Sequence, residues 1–205
     1  MRCAVLVCLA AGLLTVSAFA QSAASIKTKN GYLFIWNTDK GTSMSCEIVG
    51  NKVEPKTTGD NPAFLIDGDL IQLLRVPFTN FDPERKIAAN AILNAHKDWE
   101  VDYLKDIFAA PLSAKADSLK VGSRNVLVWS FTRPKYADTF DRDLYMTMAI
   151  DDFIFGLSSP VSVGDDLNGR KAKMAAITES IKISNSPFDL KKLSDEIKAE
   201  QKSVS

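Results

Sequence analysis

The residues best placed to do chemistry in this sequence are His96 and Glu100, which lie four positions apart in a stretch of helical periodicity. Residues at this spacing share one face of a helix, about a turn apart, and Trp99 and Tyr103 lie on the same apolar arc. Such a pair could act as a general base with its orienting group, or share a metal ion. It could also be a structural hydrogen-bonded pair, tied to Tyr103 or Arg75. We prefer the structural interpretation, because the sequence contains a single histidine and no recognisable nucleophile beside it.

A second candidate is a run of aromatic residues, Tyr32, Phe34 and Trp36, which alternate along one predicted strand. Alternate residues of a strand point to the same face, so these side chains could line a groove that binds sugars or peptides. Aromatic stripes also form the core against which a helix packs, with Trp99 as the obvious partner. Tyr32, Phe34 and Trp36 are therefore ligand-binding candidates, with a core role as the preferred alternative.

Marked motifs of nucleotide-binding and hydrolytic enzymes are absent, including glycine-rich phosphate loops, Gly-x-Ser-x-Gly and Cys-x-x-Cys. Acidic turns at 67–69, 151–152 and 164–166 do not match a calcium-binding loop, and turn chemistry explains their aspartates. Cys46 alternates with apolar residues, which predicts a core position; if exposed, it could form an intermolecular disulfide. We therefore predict no cofactor and no metal site.

The elements that must position these residues begin with short apolar runs, which predict strands. These runs cover residues 32–36, 44–49, 63–66, 70–76, 126–132, 144–150 and 153–159. Turn signals between them, such as Asp67-Gly68, favour hairpins and antiparallel pairing. The polar stretches are interpreted as a tether over 21–30 and as connections over 56–61, 113–123 and 133–141.

Three helices complete the pattern. Asp82 followed by Pro83 predicts the start of a long helix that runs to Ala109, because an aspartate cap and a proline in the first turn favour helix initiation. Amphipathic spacing predicts a second helix over 167–181 and a last one that ends near Gln201.

The order of strands, helix, strands and helices is typical of an α+β fold. We predict an antiparallel sheet of hairpins packed against one long helix and C-terminal helices. The predicted organisation is a signal peptide (1–20), a flexible N-terminal segment (21–30), a single domain (31–185) and a C-terminal helix with a tail (186–205).

The segment from Leu144 to Ser184 has a hairpin, a turn of small residues and a helix ending in the stretch from Ile177 to Ile183. This order resembles the C-terminal half of the PsbP-like/DcrB-like fold family. The resemblance implies an antiparallel sheet between helices and a binding or assembly role. The early hairpin departs from the family pattern, because Trp36 lacks the proline of the Pro-x-x-Trp element.

The first twenty residues are typical of a secretory signal peptide, with Arg2, an apolar run from Ala4 to Ala18 and a small-x-small site ending at Ala20. The run is shorter than the roughly 20 residues of a membrane-spanning helix. Cleavage would leave Cys46 as the single cysteine and remove one of the 25 basic residues that balance 25 acidic ones. The resulting charge argues against a nucleic-acid partner. We predict a periplasmic or secreted protein with no membrane span after cleavage.

The function predicted from these features is an exported, non-enzymatic binding or assembly module of the bacterial envelope, with an unknown protein or small molecule as its partner. The alternative is an exported hydrolase or metal-dependent enzyme that uses His96 and Glu100.

Overall fold

The computed structural model describes residues 22–38, 42–58, 61–135 and 139–203. The predicted signal peptide lies outside these ranges, as do parts of the predicted connections at 56–61 and 133–141. No helix within these ranges is long and apolar enough to cross a membrane.

The described residues form antiparallel hairpins and three helices. The strands are β1 (Ser22–Thr28), β2 (Gly31–Asn37), β3 (Ser43–Val49), β4 (Val53–Thr58), β5 (Asn61–Ile66), β6 (Asp69–Pro77), β7 (Ala114–Val121), β8 (Arg124–Thr132), β9 (Arg142–Ile150), β10 (Phe153–Val161) and β11 (Lys182–Ser184). The helices are α1 (Ile92–Phe108), α2 (Leu167–Glu179) and α3 (Leu190–Ser203). The α+β class predicted from the sequence is confirmed.

The strands form two sheets, one with four strands in the order β1-β2-β3-β11 and one with seven in the order β4-β5-β6-β10-β9-β8-β7. The main hydrophobic core lies between them, because alternate residues of β2 and β3 face alternate residues of the larger sheet. Phe34, Met44, Phe155 and Leu157 are among its buried members.

Helix α1 covers the opposite face of the seven-stranded sheet. Val101 and Leu104 of the helix pack in a second core with Trp129, Phe131 and Tyr145 from β8 and β9. These strand residues alternate with the residues that face the main core, as the period of two of a strand requires.

Helix α2 closes the main core beside the four-stranded sheet, with Met174 and Ile177 fully buried. Its first turn is capped by Asp166, whose carboxylate accepts the backbone N–H groups of Asn168 and Gly169.

Helix α3 lies against β1. Two hydrogen bonds of 2.8 Å join the side-chain amide of Asn37 to the backbone of Phe188 just before the helix. At its other end the Gln201 side chain donates to the carbonyl of Lys27 at 3.2 Å. The predicted last helix therefore exists and is docked on the body of the protein.

Several boundaries differ from the sequence predictions. Residues predicted as a tether form β1, the predicted loop at 56–61 supplies the second half of β4, and the stretch 113–123 contains the whole of β7. All three are edge strands, and most of their described side chains are exposed or half-buried. Their pairing depends on main-chain hydrogen bonds rather than on an apolar pattern, so the pattern did not reveal them. The hairpins also divide over two sheets instead of one.

The long helix begins at Ile92 rather than at Asp82. The Asp82 carboxylate does accept backbone N–H groups, from Lys86 and Ile87. However, Arg85 has a left-handed backbone conformation, with a φ of +55°, and a residue in this region cannot continue a right-handed helix. The capping signal therefore closes a turn, and the helix starts later.

Candidate functional site

His96 lies on the buried face of α1, with 1% of its surface exposed. The centroid of its ring is 5.5 Å from that of Phe81 and 6.1 Å from that of Trp99. Burial lowers the pKa of the imidazole from 6.5 to about 4, so the ring is neutral at pH 7. Neither ring nitrogen has a hydrogen-bond partner among the described residues.

Glu100, one turn further along α1, is half-buried. Burial raises the pKa of its carboxyl group from 4.5 to about 7. Burial, and to a lesser extent the charges of Asp143 and Glu100, raises the pKa of Tyr145 on β9. Glu100 is therefore turned towards the sheet, where water stabilises its charge poorly.

The structural pair predicted from the sequence is not formed. In the part of the chain that the structure describes, no hydrogen bond or ion pair connects His96 with Glu100, and none connects either residue with Arg75. The Arg75 guanidinium instead lies 4.5 Å from the centroid of the Phe153 ring, on the main-core face of the sheet. Arg75 and His96 are therefore on opposite faces of the same sheet.

A buried ion pair between Arg133 and Asp143 lies near Tyr145, whose pKa is affected by both of these charges and by that of Glu100. Nε and Nη2 of Arg133 donate to the two carboxylate oxygens at 2.6 and 2.8 Å, and 8% and 9% of the two side chains are exposed. Beside the pair, the ring of Tyr145 stacks on Trp129 with centroids 3.9 Å apart and planes at 3°. The bidentate contact between Arg133 and Asp143 holds the start of β9 beneath α1.

This arrangement can exchange a proton near neutral pH through Glu100. The His96 imidazole is a poor general base at that pH, because a pKa near 4 makes protonation unfavourable and its ring is enclosed by aromatic side chains. Within the described ranges, no three histidine, cysteine or acidic side chains are grouped closely enough to hold a metal ion.

The aromatic candidates have different environments. Phe34 and Trp36 are buried in the main core, where Trp36 contacts Phe155 edge-on with centroids 6.2 Å apart. Trp99 is not their partner, because it stacks with Tyr103 on the far side of the larger sheet. Tyr32 is half-buried and reaches a surface cavity. Tyr32 is thus the aromatic candidate best placed to touch a ligand.

Cys46 is fully buried in the main core. Desolvation raises the pKa of its thiol well above the ordinary value, so the reactive thiolate is disfavoured. An intermolecular disulfide would require the four-stranded sheet to open, and Cys46 is best described as a core residue.

Two openings lie between the free ends of the two sheets. One cavity of about 690 Å³ is bordered by the β1–β2 turn, Tyr32 and the start of β4. A second of about 310 Å³ continues along the same strands, between Ala23 and Ser25 of β1 and Pro55 and Phe64 of the other sheet. Because the two cavities follow each other along β1, β2 and β4, we call them together the inter-sheet groove.

The inter-sheet groove is positively charged. Four lysines line it, Lys27, Lys29, Lys52 and Lys56, and none of its lining residues is acidic. Glu54, just outside, pairs with Lys52 at 2.6 Å and with Lys56 at 3.0 Å. Asp67 also lies at the rim, where its carboxylate accepts the backbone N–H of Lys52 at 2.7 Å. Two carboxylates against four ammonium groups leave the groove with an excess of positive charge.

Sequence analysis missed this groove because it treated residues 21–30 as a tether and residues 56–61 as a loop. A signal was present in the turn Lys29-Asn30-Gly31, since asparagine followed by glycine between alternating residues favours a two-residue hairpin. Gly31 is needed there, because a Cβ atom would collide with the carbonyl of Ile48 on β3.

The fold of this chain is similar to that of cyanobacterial PsbP. The solution structure of PsbP (CyanoP) from Synechocystis sp. PCC 6803 aligns over 83% of this chain and 99% of that chain, with a TM-score of 0.46 and 9% sequence identity. No family model and no curated protein matches the chain.

Proposed function

We propose that this chain is an exported, non-enzymatic binding or assembly module of the bacterial envelope, and that it holds its partner in the inter-sheet groove. The observation that carries the proposal is the groove itself, an open, lysine-lined cavity of about 690 Å³ with an extension of about 310 Å³. The extension has an apolar floor that includes Phe34 and Phe64, and polar residues with three lysines line the larger cavity; apolar surface combined with a few charged groups is suited to binding a partner.

The residue environments support binding rather than catalysis. The lysines of the groove and Tyr32 are accessible from solvent, whereas His96 is enclosed under α1 on the other face of the larger sheet. A partner can therefore reach the groove without any movement of the fold. A substrate of His96 would need α1 to move first.

We expect charge reversal in the groove to abolish partner binding. Protein purified from its own host, whose N-terminus should be Gln21, would be examined by native mass spectrometry for a bound partner. In the double variant Lys27→Glu, Lys52→Glu the partner should be lost, because two attractive charges become repulsive. Circular dichroism should show an unchanged melting temperature.

The matched control is the double variant Lys115→Glu, Lys120→Glu, which places the same charge change on exposed residues of β7 at the far edge of the larger sheet. This control should keep the partner. Equal binding by the groove variant and the control would exclude the groove, and an N-terminus at Met1 in cytosolic protein would exclude export.

One observation favours the enzymatic alternative. Glu100 titrates near neutrality beside a buried histidine with two unpaired nitrogens, and perturbed titratable groups cluster at functional sites. A hydrolase screen of the purified protein should show no activity that His96→Ala or Glu100→Gln removes. An activity lost in both variants, with folding intact, would replace the binding proposal.

A further inference from the structure

The open edge of the four-stranded sheet lies along the inter-sheet groove. Strand β1 is the last strand of this sheet, and its other side pairs with β2 from Ser22 to Thr28. An unpaired strand edge presents a row of backbone donors and acceptors to any extended chain that lies beside it.

The direction of the backbone groups on β1 follows from a single hydrogen bond. The carbonyl of Lys27 accepts from the side chain of Gln201, so it points away from β2. In an antiparallel pair, alternate residues direct both their N–H and C=O groups to the partner strand. Ser25 and Ala23, two and four positions before Lys27, therefore also direct their backbone groups outwards, whereas Ala24 and Ile26 bond to β2.

The outward groups of Ala23 and Ser25 have no partner among the described residues. The side chains of both residues are exposed and line the groove. Neither side chain is charged or large. Helix α3 also lies against β1, but the hydrogen bond that joins them is made at Lys27, so the outward backbone groups of Ala23 and Ser25 are the part of this edge that an added strand could use.

The edge of β4, across the groove, is less able to pair with an added strand. Strands β4 and β5 pair in a two-residue hairpin in which Thr58 lies opposite Asn61, so Pro55 is among the residues directed outwards. Proline has no N–H group and interrupts the ladder that an added strand would need. Of the two edges at the groove, β1 is the one that can accept a strand.

We propose that β1 binds an extended acidic segment of a partner protein as an additional antiparallel or parallel strand. This inference rests on the proposed function and specifies its partner. The backbone of the segment would bond to Ser25 and Ala23. The register places Lys27 on the same face as Tyr32, and alternate side chains of a strand point to opposite faces. The carboxylates of the segment would therefore face the groove and pair with its lysines, and its apolar side chains would point to the other face.

A second copy of this chain is a less suitable occupant than an acidic segment. Pairing of β1 with β1 of another molecule would bring two lysine-lined grooves together, and like charges at close range oppose association. The observed charge therefore selects a partner of opposite sign.

The decisive variant is Ser25→Pro. It removes one outward N–H group and leaves the bonds between β1 and β2 intact, because Ser25 does not donate to β2; proline is tolerated at such edge positions. The control Ser25→Ala keeps the N–H group and loses the hydroxyl. The probe is a nine-residue peptide of alternating glutamate and valine, titrated by isothermal calorimetry into the purified chain, with the Ser25 amide followed by hydrogen exchange.

We expect Ser25→Pro to weaken binding about tenfold, the effect of one lost hydrogen bond with an added steric conflict, and Ser25→Ala to bind as the wild type does. The peptide should slow exchange of the Ser25 amide, and N-methylation of the peptide along its pairing edge should abolish binding without any change to the protein. A peptide of alternating lysine and valine should not bind.

The outcomes separate the two proposals. If Ser25→Pro and the N-methylated peptide bind normally while Lys27→Glu, Lys52→Glu does not, the groove binds its partner without strand addition and this inference is wrong. If the groove variant also binds normally, the proposed function fails as well. A dimer of the chain that Ser25→Pro dissociates would assign the edge to self-association and overturn the acidic-segment proposal.

Discussion

Replacing Arg170 with methionine should lower the free energy of unfolding by about 3 kcal/mol, the range found when one partner of a buried ion pair is removed. Only 6% of the Arg170 side chain is exposed. Its Nη2 donates to Asp69 at 2.6 Å and to Asp165 at 2.8 Å, and its Nη1 donates to Ser159 at 3.0 Å and to the carbonyl of Pro160.

This guanidinium joins α2 to two turns and to the end of β10. Lys173, one turn further along α2, shares Asp69 at 2.6 Å and would still hold that carboxylate in the variant. Asp165 would keep only the backbone N–H of Ser162. Most of the loss should therefore come from Asp165 and from the unpaired acceptors on Ser159 and Pro160.

Urea denaturation followed by circular dichroism would measure the effect. Lys171→Met is the matched control, because Lys171 lies on the same helix and has no hydrogen bond or ion pair among the described residues. It should change stability by less than about 0.5 kcal/mol. A loss of similar size in both variants would show that the Arg170 contacts add nothing specific.

Glu100→Gln should raise the free energy of unfolding by roughly 1–3 kcal/mol at pH 8. It should also reverse the direction in which this free energy changes with pH. The folded-state pKa of Glu100 is raised from 4.5 to about 7, so between these values the folded chain binds more protons than the unfolded chain. Stability therefore falls as pH rises through this window. Glutamine mimics the protonated carboxyl group and removes the penalty.

His96 has the opposite effect to Glu100 on how stability changes with pH. Its folded-state pKa is lowered from 6.5 to about 4, so the unfolded chain binds more protons and stability rises with pH between these values. The two effects oppose each other between pH 4.5 and 6.5 in the wild type. In Glu100→Gln only the histidine contribution remains, and stability should rise up to pH 6.5 and then level off.

Urea denaturation at pH 5, 6, 7 and 8 would test this profile. Asp102→Asn, on the exposed side of α1 in a surface pair with Lys105, is the control and should follow the wild-type curve within about 0.5 kcal/mol, because exposed pairs contribute little. A Glu100→Gln curve parallel to that of the wild type would mean that solvent reaches this carboxylate freely.

The site was only partly accessible to sequence analysis. Helical spacing correctly placed His96 and Glu100 on the inner side of α1. It could not show that the two have no hydrogen bond between them, because that depends on Phe81 and on the position of β9, which are distant in sequence. The spacing of Tyr32, Phe34 and Trp36 predicted a shared face. Which of them stays near solvent depends on where the larger sheet ends.

By itself the sequence determined the elements whose patterns record burial: the seven apolar strands, the turns between them, the second and third helices and the α+β class. These are local consequences of which side chains avoid water. Tertiary structure decided the division into two sheets, the edge strands β1, β4 and β7, and the inter-sheet groove. Exposed strands have no alternation of apolar residues, so they form only where a neighbouring strand offers backbone hydrogen-bond partners. The inter-sheet groove exists only once both sheets have formed.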